Sequence, residues 1–313
     1  MKFQCVIVGL GNIGFKYDAH FKNSKKQLTH SKTIANSKNF ELVAGIDANI
    51  ENREKFSRKY SVPSYESLDD IPKNTHIDLI VICTSTDSHL INYKESIGLN
   101  PGAIMLEKPV AFSQEDVSEI VKLGVESGIK TFINYQRNYH PAFQELSKQI
   151  RTSVFEGPYL LTGWFTGGLK NSGSHLLSLV QLLLGDNLEL QKNNLSDKKN
   201  MTLCDLSSKV NLHNIDNFNG SFFSFELLGS AAHVRYDSHL DSLNFSKMQS
   251  NDYYKGEYNL KLPFKKVKMK EDNCLIHVYK EIQNFFENKP YYICDLTHSS
   301  LTAQILDLFE RNF

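Results

Sequence analysis

Net charge is what this 313-residue sequence lacks, since 35 Lys and Arg balance 35 Asp and Glu. The balance leaves no electrostatic footprint for nucleic acid or for an anionic membrane surface. The basic stretch Lys265-Lys266-Val267-Lys268-Met269-Lys270 runs at once into Glu271-Asp272 and reads as a solvated strand or loop. No apolar run approaches the ~18 residues that a membrane helix needs. Paired cysteine motifs are missing too. The five cysteines, at 5, 83, 204, 274 and 294, are odd in number and show no disulfide or zinc spacing, so no metal is expected. Cys5 and Cys83 fall inside apolar strands, where cysteine packs as a small apolar residue. A single Lys and a short apolar run precede Gly9, which describes a strand and not a signal peptide. The cytoplasm is therefore the expected location. There is no internal repeat.

What is present is enough chain for two domains. The first part alternates apolar strands, Phe3–Val8, Glu41–Asp47, Ile77–Thr84, Ala103–Lys108 and Ile129–Asn134, with helices at Asn52–Tyr60, His89–Ile97 and Gln114–Ser127. Near-continuous Val, Ile and Leu suit strands buried on both faces of a doubly wound parallel sheet. After Tyr135 the pattern changes. Helical stretches at Ala142–Ile150 and Leu176–Leu184 frame segments of period two: Phe223 to Leu227, Ala232 to Asp237 and Tyr258 to Leu262. Period two predicts antiparallel strands with one buried face. Amphipathic helices at Asn273–Glu287 and about Thr297–Arg311 close the chain, and Gln191–Asn200 reads as an exposed loop. The expected division is residues 1–135 and 136–313.

The first strand opens into Gly9-Leu10-Gly11-Asn12-Ile13-Gly14, a G-x-G-x-x-G spacing at the start of a βα pattern. Such glycines allow a tight turn, close approach of a pyrophosphate and close helix packing. Asp47 ends the second strand, where a carboxylate accepts the ribose hydroxyls and repels a 2′-phosphate, which favours NAD over NADP. Asp47 as a helix N-cap is the alternative, and Arg53 is the nearest cation for a 2′-phosphate. Gly11 and Asp47 are further apart than the usual ~20 residues. The excess is Lys16 to Thr29, an insertion that is either a lid or a plain loop. Thr84 to His89 follow the third strand, with Ser88 placed also as an N-cap.

Glu107-Lys108-Pro109 closes the fourth strand and puts a lysine beside the expected nicotinamide. Oxidising a secondary alcohol needs a base for the hydroxyl proton, and a histidine titrates near the working pH. A buried lysine beside it relays protons or polarises the forming carbonyl. His175 opens the Leu176–Leu184 helix, next to Gly167, Gly168 and Gly173. Arg137 is a candidate for a substrate carboxylate or phosphate, or else for a salt bridge between domains. His20, His30, His140 and His298 read as surface or packing residues.

Gly9–Gly14, Asp47, Thr84–His89, Glu107-Lys108-Pro109, the run Asn134 to Phe143 and Asn171-Ser172-Gly173-Ser174-His175 occur in one order. In that order the sequence resembles the glucose-fructose oxidoreductase / inositol dehydrogenase / rhizopine catabolism protein family (Gfo/Idh/MocA). The resemblance implies an N-terminal Rossmann domain and a C-terminal α/β domain with a large, mainly antiparallel open sheet. It implies NAD or NADP and a sugar or cyclitol as substrate. It implies cofactor contacts from Gly9, Gly11, Asn12, Ile13, Gly14, Asp47, Thr84, Ser85, His89, Glu107 and Lys108. Lys108, Asn171 and His175 become the catalytic set, and these three with Arg137 the substrate contacts. Asn171 departs from the family's aspartate and cannot hold a proton. A homodimer or homotetramer is expected. The resulting function is oxidation or reduction at a hydroxyl or keto carbon of a sugar, sugar derivative or nucleotide-linked sugar. Two alternatives stand beside it: glycoside cleavage or elimination with a recycled cofactor, and a non-catalytic dinucleotide sensor.

Overall fold

The computed structural model describes residues 2–19, 26–152, 157–191, 199–217, 220–262, 265–270 and 273–312. Contacts group it into two units, Met1–Tyr139 with Asp272–Ser300, and His140–Glu271 with Leu301–Phe313.

The first unit holds six strands: β1 (Phe3–Val8), β2 (Phe40–Ile46), β3 (Ser64–Tyr65), β4 (Leu79–Ile82), β5 (Ala103–Leu106) and β6 (Lys130–Ile133). They lie in the order β3-β2-β1-β4-β5-β6, every pair parallel. Val6 and Ile7 of β1, all of β4 and all of β5 are fully buried, as strands covered on both faces must be. The order reverses between β1 and β4, so their carboxyl ends form the switch point where such sheets bind ligands.

Helices α1 (His30–Ala35), α2 (Ile50–Tyr60), α3 (His89–Gly98) and α4 (Gln114–Ser127) link the strands. In α4 the sequence signals act directly. Ser113 accepts from the Asp116 N–H at 3.0 Å, and Gly128 ends the helix in the left-handed region at φ 68°. In the first crossover a π-helical turn, Asn12–Lys16, follows the glycines, and α1 begins only at His30. Between them lies the base of the insertion, wrapped around fully buried Asp18. That carboxylate accepts from Leu28 N–H at 2.8 Å and from the Thr29 hydroxyl at 2.7 Å. Thr29 in turn caps α1 through the Lys32 N–H. Residues 20–25, the middle of the insertion and the site of His20, lie outside the described residues.

Helix α7 (Cys274–Phe286) belongs to this first unit and not, as the division at residue 135 has it, to the second. Its aromatic residues explain the difference. Phe286 stacks on Phe3 of β1 at 4.6 Å, Tyr279 meets Phe40 of β2 edge-on at 5.4 Å, and Phe285 meets Phe132 of β6 at 5.9 Å.

The second unit is built on nine strands: β7 (Tyr159–Phe165), β8 (Glu189–Leu190), β9 (Asn200–Cys204), β10 (Ser208–Asn214), β11 (Phe223–Leu228), β12 (Ala232–Asp237), β13 (Ser242–Ser250), β14 (Tyr258–Leu260) and β15 (Lys265–Lys268). Their order is β14-β13-β12-β11-β7-β10-β9-β8, with β15 also on β13. All pairs are antiparallel except β7–β10. Leu161, Phe165, Leu212, Phe225, Leu227, Val234 and Tyr236 form its buried face. Helices α5 (Pro141–Arg151) and α6 (Ser174–Leu184) cover that face, Phe143 of α5 meeting Tyr236 at 5.1 Å. The opposite face carries Trp164, Glu226 and Arg235, the last two 3.6 Å apart. Along β14 the expected buried face is absent. It is an edge strand on β13 alone, and Tyr258 and Leu262 are 66% and 70% exposed. The loop read at Gln191–Asn200 lies mostly outside the described residues. Helix α8 (Leu296–Arg311) runs from the first unit's residues into the second's.

Candidate active site

The glycine loop leaves β1 at the switch point. Gly9 takes φ 94°, and a Cβ there would meet Thr84 N at 2.6 Å and Cys83 C at 2.7 Å, so no side chain fits. Gly14 is buried against Gly9 and Cys83, whereas a Cβ on Gly11 would meet nothing within 4 Å. Two glycines therefore close the packing and the middle one faces open space. Asn12 and Ile13, exposed and half-buried, begin the turn whose Phe15 and Lys16 N–H groups both reach Gly11 O at 2.9 Å. The first N–H groups of such a turn have no partner within it. This loop fits a dinucleotide pyrophosphate.

Asp47 follows β2 and ties that loop down. Its Oδ2 accepts from Leu10 N–H at 2.8 Å, and its Oδ1 from Asn49 N–H at 2.8 Å and Asn52 Nδ2 at 3.2 Å. The N-cap of α2 is Asn49, not Asp47. Arg53 donates to the Asp47 and Ala48 carbonyls at 2.7 and 2.9 Å and lies 3.7 Å from Glu66. It is thus held by acceptors on the protein. After β4, Thr84 Oγ1 accepts from Asn92 Nδ2 at 3.2 Å, and exposed Ser85 lies 3.3 Å from Ser88. Ser88 makes no side-chain cap bond to α3. His89 is buried, its ring nitrogens 3.1 Å from the Val110 carbonyl and 3.3 Å from the Thr84 carbonyl. Burial pushes its pKa down. Its ring braces the two loops.

Glu107 is the centre of the arrangement. It is buried at the carboxyl end of β5, next to a cis Lys108–Pro109 bond. Its Oε1 accepts from Asn134 Nδ2 at 2.6 Å and lies 3.0 Å from His30 Nε2, while its Oε2 accepts from Lys108 N–H at 3.1 Å. Burial raises a carboxyl, but the bonds from His30 and Asn134 and the charges of His30 and Lys108 outweigh it and hold Glu107 below its usual range. Lys108 is half-buried. Burial lowers its pKa, Glu107 opposes that, and Arg137 adds to it. Arg137 lies on the turn Gln136–Tyr139, which Tyr139 fixes through Ile133 O at 3.1 Å and the Cys294 N–H at 3.2 Å.

Sequence reasoning missed His30 here; its ring is fully buried and bonded to Glu107. The signal available was its place at the first residue after a Thr N-cap, behind the insertion. His140 and His298 are structural, as expected. His140 caps α5 and reaches Met269 O at 2.7 Å, and His298 lies 3.4 Å from Asn138.

In the second unit, a π-helical turn Gly168–Gly173 carries Asn171 and leads into α6. Asn171 is exposed and its carbonyl accepts from Ser174 Oγ at 2.7 Å, while His175 is half-buried on the first turn of α6. Gly167 and Gly168 take φ 90° and 82°. Asp216, which the sequence did not flag, accepts from their N–H groups at 2.6 and 3.4 Å. Burial raises its carboxyl, but hydrogen bonds from Asn214, Gly167 and Gly168 more than offset this and leave the pKa lowered. Asp216 therefore fixes the entry to the loop that bears Asn171 and His175. Among the described residues no cluster of three His, Cys, Asp or Glu is placed to hold a metal, and no helix is long and apolar enough to cross a membrane.

Residues 3–135 match the model of an oxidoreductase family with an NAD-binding Rossmann fold, GFO_IDH_MocA. That match takes in the glycine loop, Asp47 and Glu107-Lys108-Pro109 and ends at residue 135. Inositol 2-dehydrogenase of Rhizobium meliloti (strain 1021) is 29% identical over 121 residues, 39% of this chain and 36% of that protein. The scyllo-inositol 2-dehydrogenase (NAD(+)) of Bacillus subtilis (strain 168) is 26% identical over 164 residues, 51% of this chain and 44% of that protein. The chain thus spans less than half the length of these curated relatives. Its fold is shared with the WlbA dehydrogenase from Bordetella pertussis, solved in complex with NADH and UDP-GlcNAcA. That likeness has a TM-score of 0.76 at 18% identity and covers 99% of this chain and 95% of that one.

Glu107 gives the site a pH signature. A depressed folded-state pKa means that the ionised carboxyl stabilises above the unfolded value of about 4.3, and this share is lost as pH falls through the folded value. Glu107→Gln cannot titrate. It is expected to be about 1–3 kcal/mol less stable at neutral pH and to lose less stability in acid than the wild type. Urea denaturation at several pH values checks this, and parallel acid slopes for the two proteins would contradict it.

Proposed function

We propose that the chain is an NAD(P)-dependent oxidoreductase of the cytoplasm. It oxidises a secondary hydroxyl, or reduces the matching keto group, of a sugar, sugar derivative or nucleotide-linked sugar. The observation that carries this is Lys108, half-buried beside an ionised, fully bonded Glu107 on the same sheet as the Gly9–Gly14 loop. The relatives support a polyhydroxylated ring as substrate, since two are named for inositol and one was solved with a nucleotide sugar derivative.

Each residue has a task in this reading. The N–H groups around Gly11, Asn12, Ile13 and Gly14 hold the pyrophosphate, and Asp47 takes the adenosine ribose hydroxyls. Thr84 and Ser85 line the path between them. When bound, the nicotinamide supplies the carbon that exchanges a hydride with the substrate. Lys108, as a cation, polarises the substrate oxygen and stabilises the negative charge that gathers there as the proton leaves. Arg137 adds a second positive group, suited to a carboxylate or phosphate on the substrate. His175 is the base for the hydroxyl proton, and Asn171 hydrogen-bonds the substrate without competing for the proton. An amide cannot stabilise an imidazolium by charge, so in this reading His175 works without the carboxylate that the family resemblance would place there.

Three measurements test the reading. A panel of sugars, cyclitols and nucleotide sugars screened for NADH formation is expected to give a substrate. With it, Lys108→Met should lower kcat by at least ~10²-fold while NAD still binds. Wild-type turnover in that variant would remove the mechanism.

Titration of both cofactors is expected to show NAD binding the tighter, because Asp47 faces the ribose and Arg53 is already held by carbonyls. Tighter NADP would mean that Arg53 turns toward the 2′-phosphate.

The half-open sheet face around Trp164 is suited to pair with a second copy of the chain. Light scattering should therefore report a dimer or tetramer. A 35.8 kDa particle at micromolar concentration would refute it.

A further inference from the structure

Two buried side chains beside Glu107 have no part in the chemistry above. His30 on α1 and Tyr279 on α7, both in the first unit, are 0% and 3% exposed. Tyr279 Oη is 2.8 Å from His30 Nδ1, and His30 Nε2 is 3.0 Å from Glu107 Oε1. An ionised carboxylate needs a hydrogen on the nitrogen that faces it, so Nε2 donates to Glu107. The Tyr279 hydroxyl meets the other ring nitrogen and fixes the plane of the ring. The contacts run from Tyr279 through His30 to Glu107. They end on the residue whose second oxygen accepts from the Lys108 N–H at 3.1 Å.

We propose that His30, backed by Tyr279, is a positioning residue for Lys108: it fixes Glu107 as an anion at the end of β5 and so keeps Lys108 in its ammonium form. The inference rests on the reading of Lys108 as the cation that meets the substrate oxygen.

The neighbouring groups set the direction of the effect. Glu107 is faced by His30 from α1, by Asn134 from the end of β6 and by Lys108. Charged neighbours of Lys108 are Glu107 and Arg137, while Tyr279 lies near Cys5, Cys83 and Glu107 as well as His30. Burial and Arg137 both disfavour the ammonium, and Glu107 alone among these opposes them. Losing the His30 donor shifts a buried Glu107 toward its neutral form. Lys108 then loses its counter-charge and releases its proton at lower pH. A donor that merely fills space in the core would leave that titration where it is.

Lys108 can be titrated without any substrate. The full chain is pulse-labelled with an amine-reactive anhydride between about pH 6 and 11, spanning the usual lysine value. Modification of Lys108 is then followed by peptide mass spectrometry. His30→Phe is expected to lower the midpoint by about one pH unit, a ~10-fold faster labelling below it. Glu107→Gln should do the same, and Tyr279→Phe should give a smaller shift in the same direction. His30→Gln keeps an N–H for Glu107 and should stay close to wild type. Thermal unfolding of each variant shows whether it is folded. Should His30→Phe not fold, Glu107→Gln and Tyr279→Phe decide. A wild-type midpoint in folded His30→Phe, or in both of those two, overturns the proposal. An active Lys108→Met would instead remove the reading beneath it and leave the midpoints standing.

Discussion

A carboxylate taken out of water needs donors, and Glu107 takes three: His30, Asn134 and the Lys108 N–H. Each comes from a different part of the first unit, so the demand of one side chain ties α1, β5 and the end of β6 together. Through Tyr279 it reaches α7 as well, a helix more than a hundred residues away in sequence. The geometry that results leaves Lys108 beside an anion that cannot turn away. Breaking a buried charged group away from its partner typically costs about 3–5 kcal/mol, far more than an exposed pair contributes. The charge beside Lys108 is therefore a buried one, and salt screens it less than it would a surface charge.

The insertion after the glycine loop belongs to the same argument. A continuous first helix would begin at the glycines. Here the π-helical turn stops at Lys16, and buried Asp18 gathers Leu28 and Thr29 so that α1 restarts with His30 as its first residue. Thr29 serves both as a ligand of Asp18 and as the cap of α1, which couples the closing of the loop to the place of the His30 ring. The same stretch that lengthens the spacing from Gly11 to Asp47 thereby delivers the imidazole to Glu107.

How much of this was legible follows from what each residue answers to. Strands β1, β4 and β5 answer to burial on both faces, which writes continuous Val, Ile and Leu into the sequence. The glycine spacing and Ser113–Gly128 answer to local backbone geometry. These are readable because the cause lies within a few residues. Tyr258 and Leu262 show the limit, since alternation names a face but not whether anything covers it. Helix α7 shows it again. Its apolar stripe is plain, but nothing in the stripe says that Phe286 meets Phe3. His30 and Asp216 were missed for the same reason: their partners, Glu107 and the Gly167–Gly168 N–H groups, are brought near only by the folded chain. Lys108 was marked by its place at a strand end and His175 by its place at the start of a helix, and the family resemblance joined them into one catalytic expectation.

Two carboxylates stand at the ends of strands β2 and β5 of one sheet in this unit, and their surroundings differ. Asp47 is half-buried and bonded chiefly to main-chain N–H groups, at Leu10 and Asn49. Those bonds hold the loop in place and leave the carboxylate half-buried, as the proposed contact with ribose hydroxyls would require. Glu107 is buried and bonded chiefly to side chains, so water does not screen its charge from Lys108. Residue 171, in the second unit, is an asparagine where the resembled family carries an aspartate. Under the proposed reaction that lost charge would bear on His175, the acceptor of the hydroxyl proton, whereas Lys108 has Glu107 as its negative neighbour.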